Sequence, residues 1–95
     1  MHAILLVVDL SQSDREESLK NLREVVVPQV REAPGFKSGV WLGPASAEAM
    51  NGTSVVVFET AENAQAAASQ VPVGATVGPG VTVVSCEVRE VAASA

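Results

Sequence analysis

Four side chains in this 95-residue chain could do chemistry, and each lacks the company that chemistry needs. His2 is the only histidine. It opens a strand, and one imidazole does not make a metal site. Cys86 is the only cysteine, set mid-strand among apolar neighbours. A buried lone thiol behaves as a small hydrophobe, and a nucleophilic one needs a cationic or imidazole neighbour. Only Arg89 is near it in sequence. Asp9 ends an apolar strand, where burial would raise its pKa and make it a base. The competing role is in the turn, with Ser11 and Ser13. Trp41 stands between Gly39 and Gly43 on one side of a strand. The glycines either leave a flat slot for a planar ligand beside the indole, or the ring fills their space or plugs an interface. Glu59 and Glu87 read as solvent-facing strand positions, and Glu16, Glu17, Glu24 and Glu32 as a solvated helix face.

Composition narrows the function classes. The formal net charge is −5 and only six residues are Lys or Arg. Phosphate binding requires a basic surface, so nucleic acid is excluded as a partner. A single cysteine allows no internal disulfide, zinc pair or redox dithiol. Residues 3–8 form an apolar run without a basic leader or a cleavage site, too short to span a bilayer. No membrane partner and a cytoplasmic location are expected. Ninety-five residues make one domain, 1–95, with a small core. Phe36, Trp41 and Phe58 are the only aromatics, so that core is aliphatic.

The elements that must position these groups are legible in the hydrophobic pattern. The first strand covers about residues 2–10, with Ile4-Leu5-Leu6-Val7-Val8 apolar on both faces. Ser13 and Glu16 have capping-box spacing at the start of a helix. Leu19, Leu22, Val26 and Val30 recur at helical spacing with Val25 and Ala33 beside them, while Lys20, Asn21 and Arg23 fall outside. Pro28 interrupts this stripe, which resumes at Val30, so a kink rather than a stop is expected. Pro34-Gly35 ends the helix. Residues 36–43 form a second strand, with Phe36, Ser38, Val40 and Leu42 on one side and Lys37, Gly39, Trp41 and Gly43 on the other. A loop closed by an Asn51-Gly52 turn leads to a third strand over 53–59. Thr60 caps a second helix over 61–70, residues 71–80 read as irregular, and a last strand covers 81–91.

The order β-α-β-β-α-β predicts a ferredoxin-like α+β fold: a mainly antiparallel four-stranded sheet with both helices on one face. Strands one and three are apolar on both sides, yet two helices cover only one. The other face needs a cover, and the economical one is a second copy of the chain, sheet against sheet.

The chain resembles the dimeric α+β barrel superfamily and, within it, the antibiotic-biosynthesis-monooxygenase-like domains. The carriers are Val27-Pro28-Gln29-Val30, the turn Pro34-Gly35-Phe36, the passage from Val55-Val56-Val57-Phe58 through Glu59-Thr60 to Asn63-Ala64, and the closing Val81-Thr82-Val83 and Glu87-Val88-Arg89-Glu90-Val91. The resemblance implies a homodimer with a pocket between each sheet and its own helices. Known members include cofactor-free oxygenases of aromatic polyketides, haem-degrading enzymes and small isomerases. Haem-degrading members use an Asn on the first strand, a Trp on the third and a His on the second helix. Phe58 stands in the place of that Trp, the second helix has no His, and the first strand offers Asp9 but no Asn. Quinone-forming members rely on Asn, Trp and Tyr, and this chain has no Tyr. Trp41 lies on the second strand and does not inherit the role.

The resulting expectation is a protein that binds, or acts monooxygenase-like on, a small hydrophobic or aromatic molecule without metal or organic cofactor. Trp41 and Phe58 would be its pocket walls and Asp9 its candidate base. The alternative is a non-catalytic dimeric module that serves another protein.

Overall fold

A computed structural model describes residues 1–46 and 48–95. The first strand, β1 (His2–Asp9), is the spine of the sheet, hydrogen-bonded on both sides. Its neighbours are β3 (Asn51–Phe58) and β5 (Val81–Glu90); β2 (Phe36–Leu42) flanks β3, and β4 (Thr76–Gly78) flanks β5. Every pairing is antiparallel and the order is β2-β3-β1-β5-β4. The expected four-stranded sheet is thus corrected to five strands. The addition, β4, comes from the stretch read as irregular. Pro79-Gly80 supplies a tight hairpin turn, with Gly80 at φ +71°, where a Pro-Gly pair is at its most favourable. The Pro and Gly density that read as irregular serves two turns, one at residues 72–75 with Gly74 at φ +91° and the hairpin turn at Pro79-Gly80.

The Asn51-Gly52 pair does not form a turn. Both residues extend β3, opposite Asp9 and Val8. A Cβ on Gly52 would stand 3.3 Å from the Leu42 carbonyl, so the small residue serves close backbone approach. The face assignment of β2 also changes. Phe36 pairs with Phe58 and Ser38 with Val57, which leaves Lys37 as a bulge. Beyond it Gly39 faces with Val56 and Trp41 with Ser54. The bulge therefore puts Phe36 on the side of Trp41, not on the side of Val40. A second bulge between Val83 and Ser85 similarly resets β5.

The first helical segment begins later than its capping box suggested. Asp14 is the N-cap and its side chain makes no capping bond, while the Ser13 hydroxyl donates to the Leu10 carbonyl at 2.7 Å. Three pieces follow: α1 (Arg15–Asn21), a π-helical turn (Leu22–Val26), and α2 (Val27–Arg31). Pro28 does not stop the chain, which remains helical to Arg31. Proline lacks an N–H for a carbonyl one turn back. The π turn, with Val27 N–H bonded to Leu22 O, changes the hydrogen-bond register just before that gap and absorbs it. The last helix, α3 (Ala61–Ala68), is shorter than expected but is capped as read: the Thr60 hydroxyl accepts from Asn63 N–H at 3.0 Å. No helix among the described residues is long and apolar enough to cross a membrane.

Ile4, Val56, Phe58 and Ala64 form the buried core, joined by Phe36, Val30 and Ala33 from the flanks. The opposite sheet face carries Val40, Val55 and Leu5 in one row, ending in Glu87. It is apolar across β2, β3 and β1, and charged along β5, where Glu87 and Arg89 pair at 2.8 Å.

Three glycines, Gly35, Gly74 and Gly80, have left-handed φ, and two of them are closely packed. Gly35, at φ +79°, faces the Asn63 side chain, and Gly80 faces the backbone carbonyl of Gln12. Both Gly→Ala changes incur the left-handed penalty of about 1–2 kcal/mol. Rotation of Asn63 relieves the contact with its Oδ1 at the cost of the 2.7 Å bond from the Thr60 hydroxyl and leaves its Cβ 2.9 Å away, whereas the Gln12 peptide group cannot step aside at all. Gly80→Ala should therefore lower the urea midpoint clearly more than Gly35→Ala. Equal losses would show that the β4–β5 hairpin is not pinned against residues 12–13.

Candidate functional site: an apolar cleft under the first helix

The two helical layers sit at different heights above the sheet. Helix α3 lies close, because Ala64 points at the strands and is wholly excluded from solvent. Alanine has no side chain beyond Cβ, so the helix can come down onto β1 and β3. The first helix carries Leu19, Leu22 and Val26 on its inner side, and no residue of α1 or the π turn is buried. Its apolar stripe does not fill a core. It roofs a cleft of about 1130 Å³ whose floor is the helix-facing side of the sheet. That volume is at the upper end for small-molecule sites.

Floor and walls follow from register. Residues directly opposite in an antiparallel pair share a face. Trp41, Ser54, Leu6 and Cys86 accordingly form one row across β2, β3, β1 and β5. Gly39, Val56, Ile4 and Val88 form the next, and Phe36, Phe58, His2 and Glu90 the one after. Trp41 and Phe58 both line the cleft. Phe58 is 1% exposed and meets Phe36 edge to face at 6.4 Å, so it closes the cleft at its packed end. Val77 and Thr76 of β4 form a side wall, held by the hairpin at Gly80.

Trp41 uses the space above one of its two glycines. A Cβ on Gly39 would stand 2.8 Å from the outer edge of the indole, so the ring lies back over that residue. Gly43 has nothing near it. The ring thus fills one glycine's space and still presents surface to the cleft.

Asp9 lies elsewhere. Its partners in the sheet put it on the face away from the helices, and it does not line the cleft. Its carboxylate accepts from Ser11 N–H at 2.9 Å and from the Ser11 hydroxyl at 3.0 Å. These bonds hold its pKa below the usual aspartate value, the direction opposite to that of a base raised by burial. His2 has a buried Nδ1 with no partner and is outside the cleft. Cys86 lines a shallower hollow of about 390 Å³ beside the end of α3, and burial raises its thiol pKa. Among the described residues no group of three His, Cys, Asp or Glu could hold a metal ion.

Two polar residues of the site were not foreseen. Ser54 is 4% exposed, the only polar side chain buried among the described residues. It lines the cleft, and no described protein group hydrogen-bonds its hydroxyl. The signal was present: in Gly52, Ser54, Val56 and Phe58, every second residue of β3, Ser54 alone is polar. Asn21, assigned by periodicity to the outer side of the helix, also lines the cleft, and its Oδ1 is buried without a partner. Asn21 ends α1 beside β4, where a Cβ on Gly78 would stand 3.7 Å from its Nδ2. Val25, expected beside the stripe, is 47% exposed. The one charged residue of the lining is Arg15, exposed on the first turn of α1.

No protein-family model, curated protein or solved structure matches the chain.

The Trp41–Gly39 contact can be tested directly. Gly39→Ala fits a strand backbone, but its methyl must displace the indole into the cleft. The expected result is a red-shifted Trp41 emission with stronger acrylamide quenching and a stability loss of about 1–2 kcal/mol. An unchanged spectrum would show that the ring does not rest on Gly39.

Proposed function

We propose that this chain binds a small hydrophobic, aromatic-type molecule in the cleft beneath its first helix, as a homodimeric protein of the dimeric α+β barrel kind. The cleft carries the reading. It is large, mainly aliphatic, roofed by an entire apolar helical stripe, and open to entry. The strand order supports the fold assignment. Omitting the short β4, the order β2-β3-β1-β5 with all pairs antiparallel is compatible with a ferredoxin-like arrangement. The apolar row of exposed Val40 with half-buried Val55 and Leu5 supports a second copy as the cover for the other face. The free thiol and acidic surface suit the cytoplasm.

Binding is favoured over catalysis by one observation. The acid that could have served as base, Asp9, is committed to Ser11 at a turn outside the cleft. Cofactor-free monooxygenase-like chemistry remains the catalytic form of the proposal, with the substrate supplying its own reactivity and the cleft its orientation. The second reading is a non-catalytic dimeric interaction module. It is favoured by the same absence of an acid-base pair among the lining residues.

Two experiments decide. Sedimentation at micromolar concentration should give twice the chain mass; a stable monomer would remove the dimer. A ligand at one hundred times its Kd adds about 2.7 kcal/mol of stability, worth roughly 10 °C or more in a domain this size. A panel of naphthols and quinols should therefore contain members that raise Tm and change Trp41 fluorescence. If none does, the binding reading fails.

Haem turnover is not expected. A haem-degrading site needs an axial protein ligand, commonly His, and α3 carries only Ala, Glu, Asn and Gln. Haem with a reductant should show no stoichiometric Soret loss. Turnover abolished by His2→Ala would overturn this.

A further inference from the structure

We propose that Ser54 is the polar anchor of the cleft, and that the molecule it holds is a neutral apolar compound bearing a carbonyl or hydroxyl oxygen. The inference rests on the binding function proposed above and adds to it the recognised group and the residue that recognises it.

Among the described residues Ser54 is the one buried serine; Ser38, Ser85 and Ser94 also lack a described protein partner but are open to water. Ser13, Ser18 and Ser69 donate to backbone carbonyls, and Ser11 donates to Asp9. Those side chains are accessible to water and still bond to the protein. Ser54 is the one that water reaches least, and its hydroxyl has no described protein partner. It stands on the cleft floor between Trp41 and Leu6, at a position whose strand neighbours Gly52 and Val56 are apolar. A valine or alanine there would satisfy packing. What the hydroxyl adds is a hydrogen bond toward the cleft.

The ligand's charge follows from the walls. No carboxylate lines the cleft, although eleven residues of the chain are acidic, and its single cation, Arg15, is exposed. A charged group at the depth of Ser54 would lose its hydration without a counter-ion. A ketone or alcohol does not. Trp41, adjoining Ser54 in the same row, would lie against the ring that carries the oxygen. Asn21 on the roof contributes a second unpartnered acceptor, Oδ1, suited to a hydroxyl proton.

The test compares 1-tetralone with the hydrocarbon tetralin by calorimetry on wild type, Ser54→Ala and Ser54→Thr. The ratio of the two dissociation constants is the readout, so that the probes' different hydration cancels between variants. Ser54→Ala should weaken the preference for tetralone about tenfold, equivalent to ~1.4 kcal/mol, and leave tetralin binding unchanged. Ser54→Thr, which keeps the hydroxyl, should retain the preference. Melting curves check folding, and Ser54→Ala should melt no lower than wild type. If both probes bind and the ratio is the same in all three proteins, Ser54 is not the anchor, while the cleft remains a binding site. If protonated 1-aminotetralin binds as well as tetralone, the neutral class is wrong. If neither probe binds wild type, the cleft reading itself fails and this inference with it.

Discussion

The architecture turns on how closely a helix can approach the sheet. Where α3 crosses, the residue at the contact is Ala64, and its Cβ sits fully excluded from solvent against Ile4, Val56 and Phe58. Close contact there makes the buried cluster of Ile4, Val56, Phe58 and Ala64. Under the first helix the side chains are Leu and Val, held farther off, and nothing fills the space between. One sheet thus supports two different layers: a sealed one that stabilises the fold and an open one that leaves apolar surface available. The small core of a short chain makes this division economical, since one well-packed contact region suffices to fix the strands.

The sheet's own register distributes the functional groups. Because β1 pairs on both sides, its side chains set the rows to which β3, β2 and β5 conform. Two bulges then adjust which residues join them. The bulge at Lys37 puts Phe36 against Phe58 while keeping Trp41 beside Ser54. Without it, either the aromatic pair or the indole would face away from the helices. The same strand therefore serves the core at one end and the cleft at the other.

Most of the elements were legible because they depend on short-range chemistry. Alternating or continuous apolar runs gave β1, β3 and β5, and Thr60 gave the start of α3. Trp41 and Phe58 could be singled out because aromatics are so scarce. The parts that escaped depend on backbone register. Lys37 carries no composition that marks a bulge, so the faces of β2 were assigned by simple alternation, and nothing in the sequence marked the bulge at Val84. Asn21 was assigned outward by its place on the helix alone, because the sequence did not show β4 beside it. The residues 71–80 hold enough Pro and Gly to mask a three-residue strand whose stability comes from pairing with β5 and not from its own propensity. Ser54 was passed over because the run after it, Val55 to Phe58, dominated the reading; its significance appears only when every second residue is followed.

The π turn also has a bearing on how such a chain can change. A π turn is an α-helix carrying one residue too many, so the segment from Leu22 to Val26 can be viewed as an insertion that the helix has tolerated. Removing a single residue there would restore regular winding, and everything beyond would rotate by roughly 100° and retreat by about 1.5 Å. Val30 and Ala33 would swing away from the core they flank, and Pro28 would lose the register change that accommodates it. Substitutions can tune the roof of the cleft one side chain at a time. Length cannot vary there by even one residue without uncoupling the helix from the sheet, whereas the loop after β2 carries no comparable phase. In this chain the first helix is free to change only in composition.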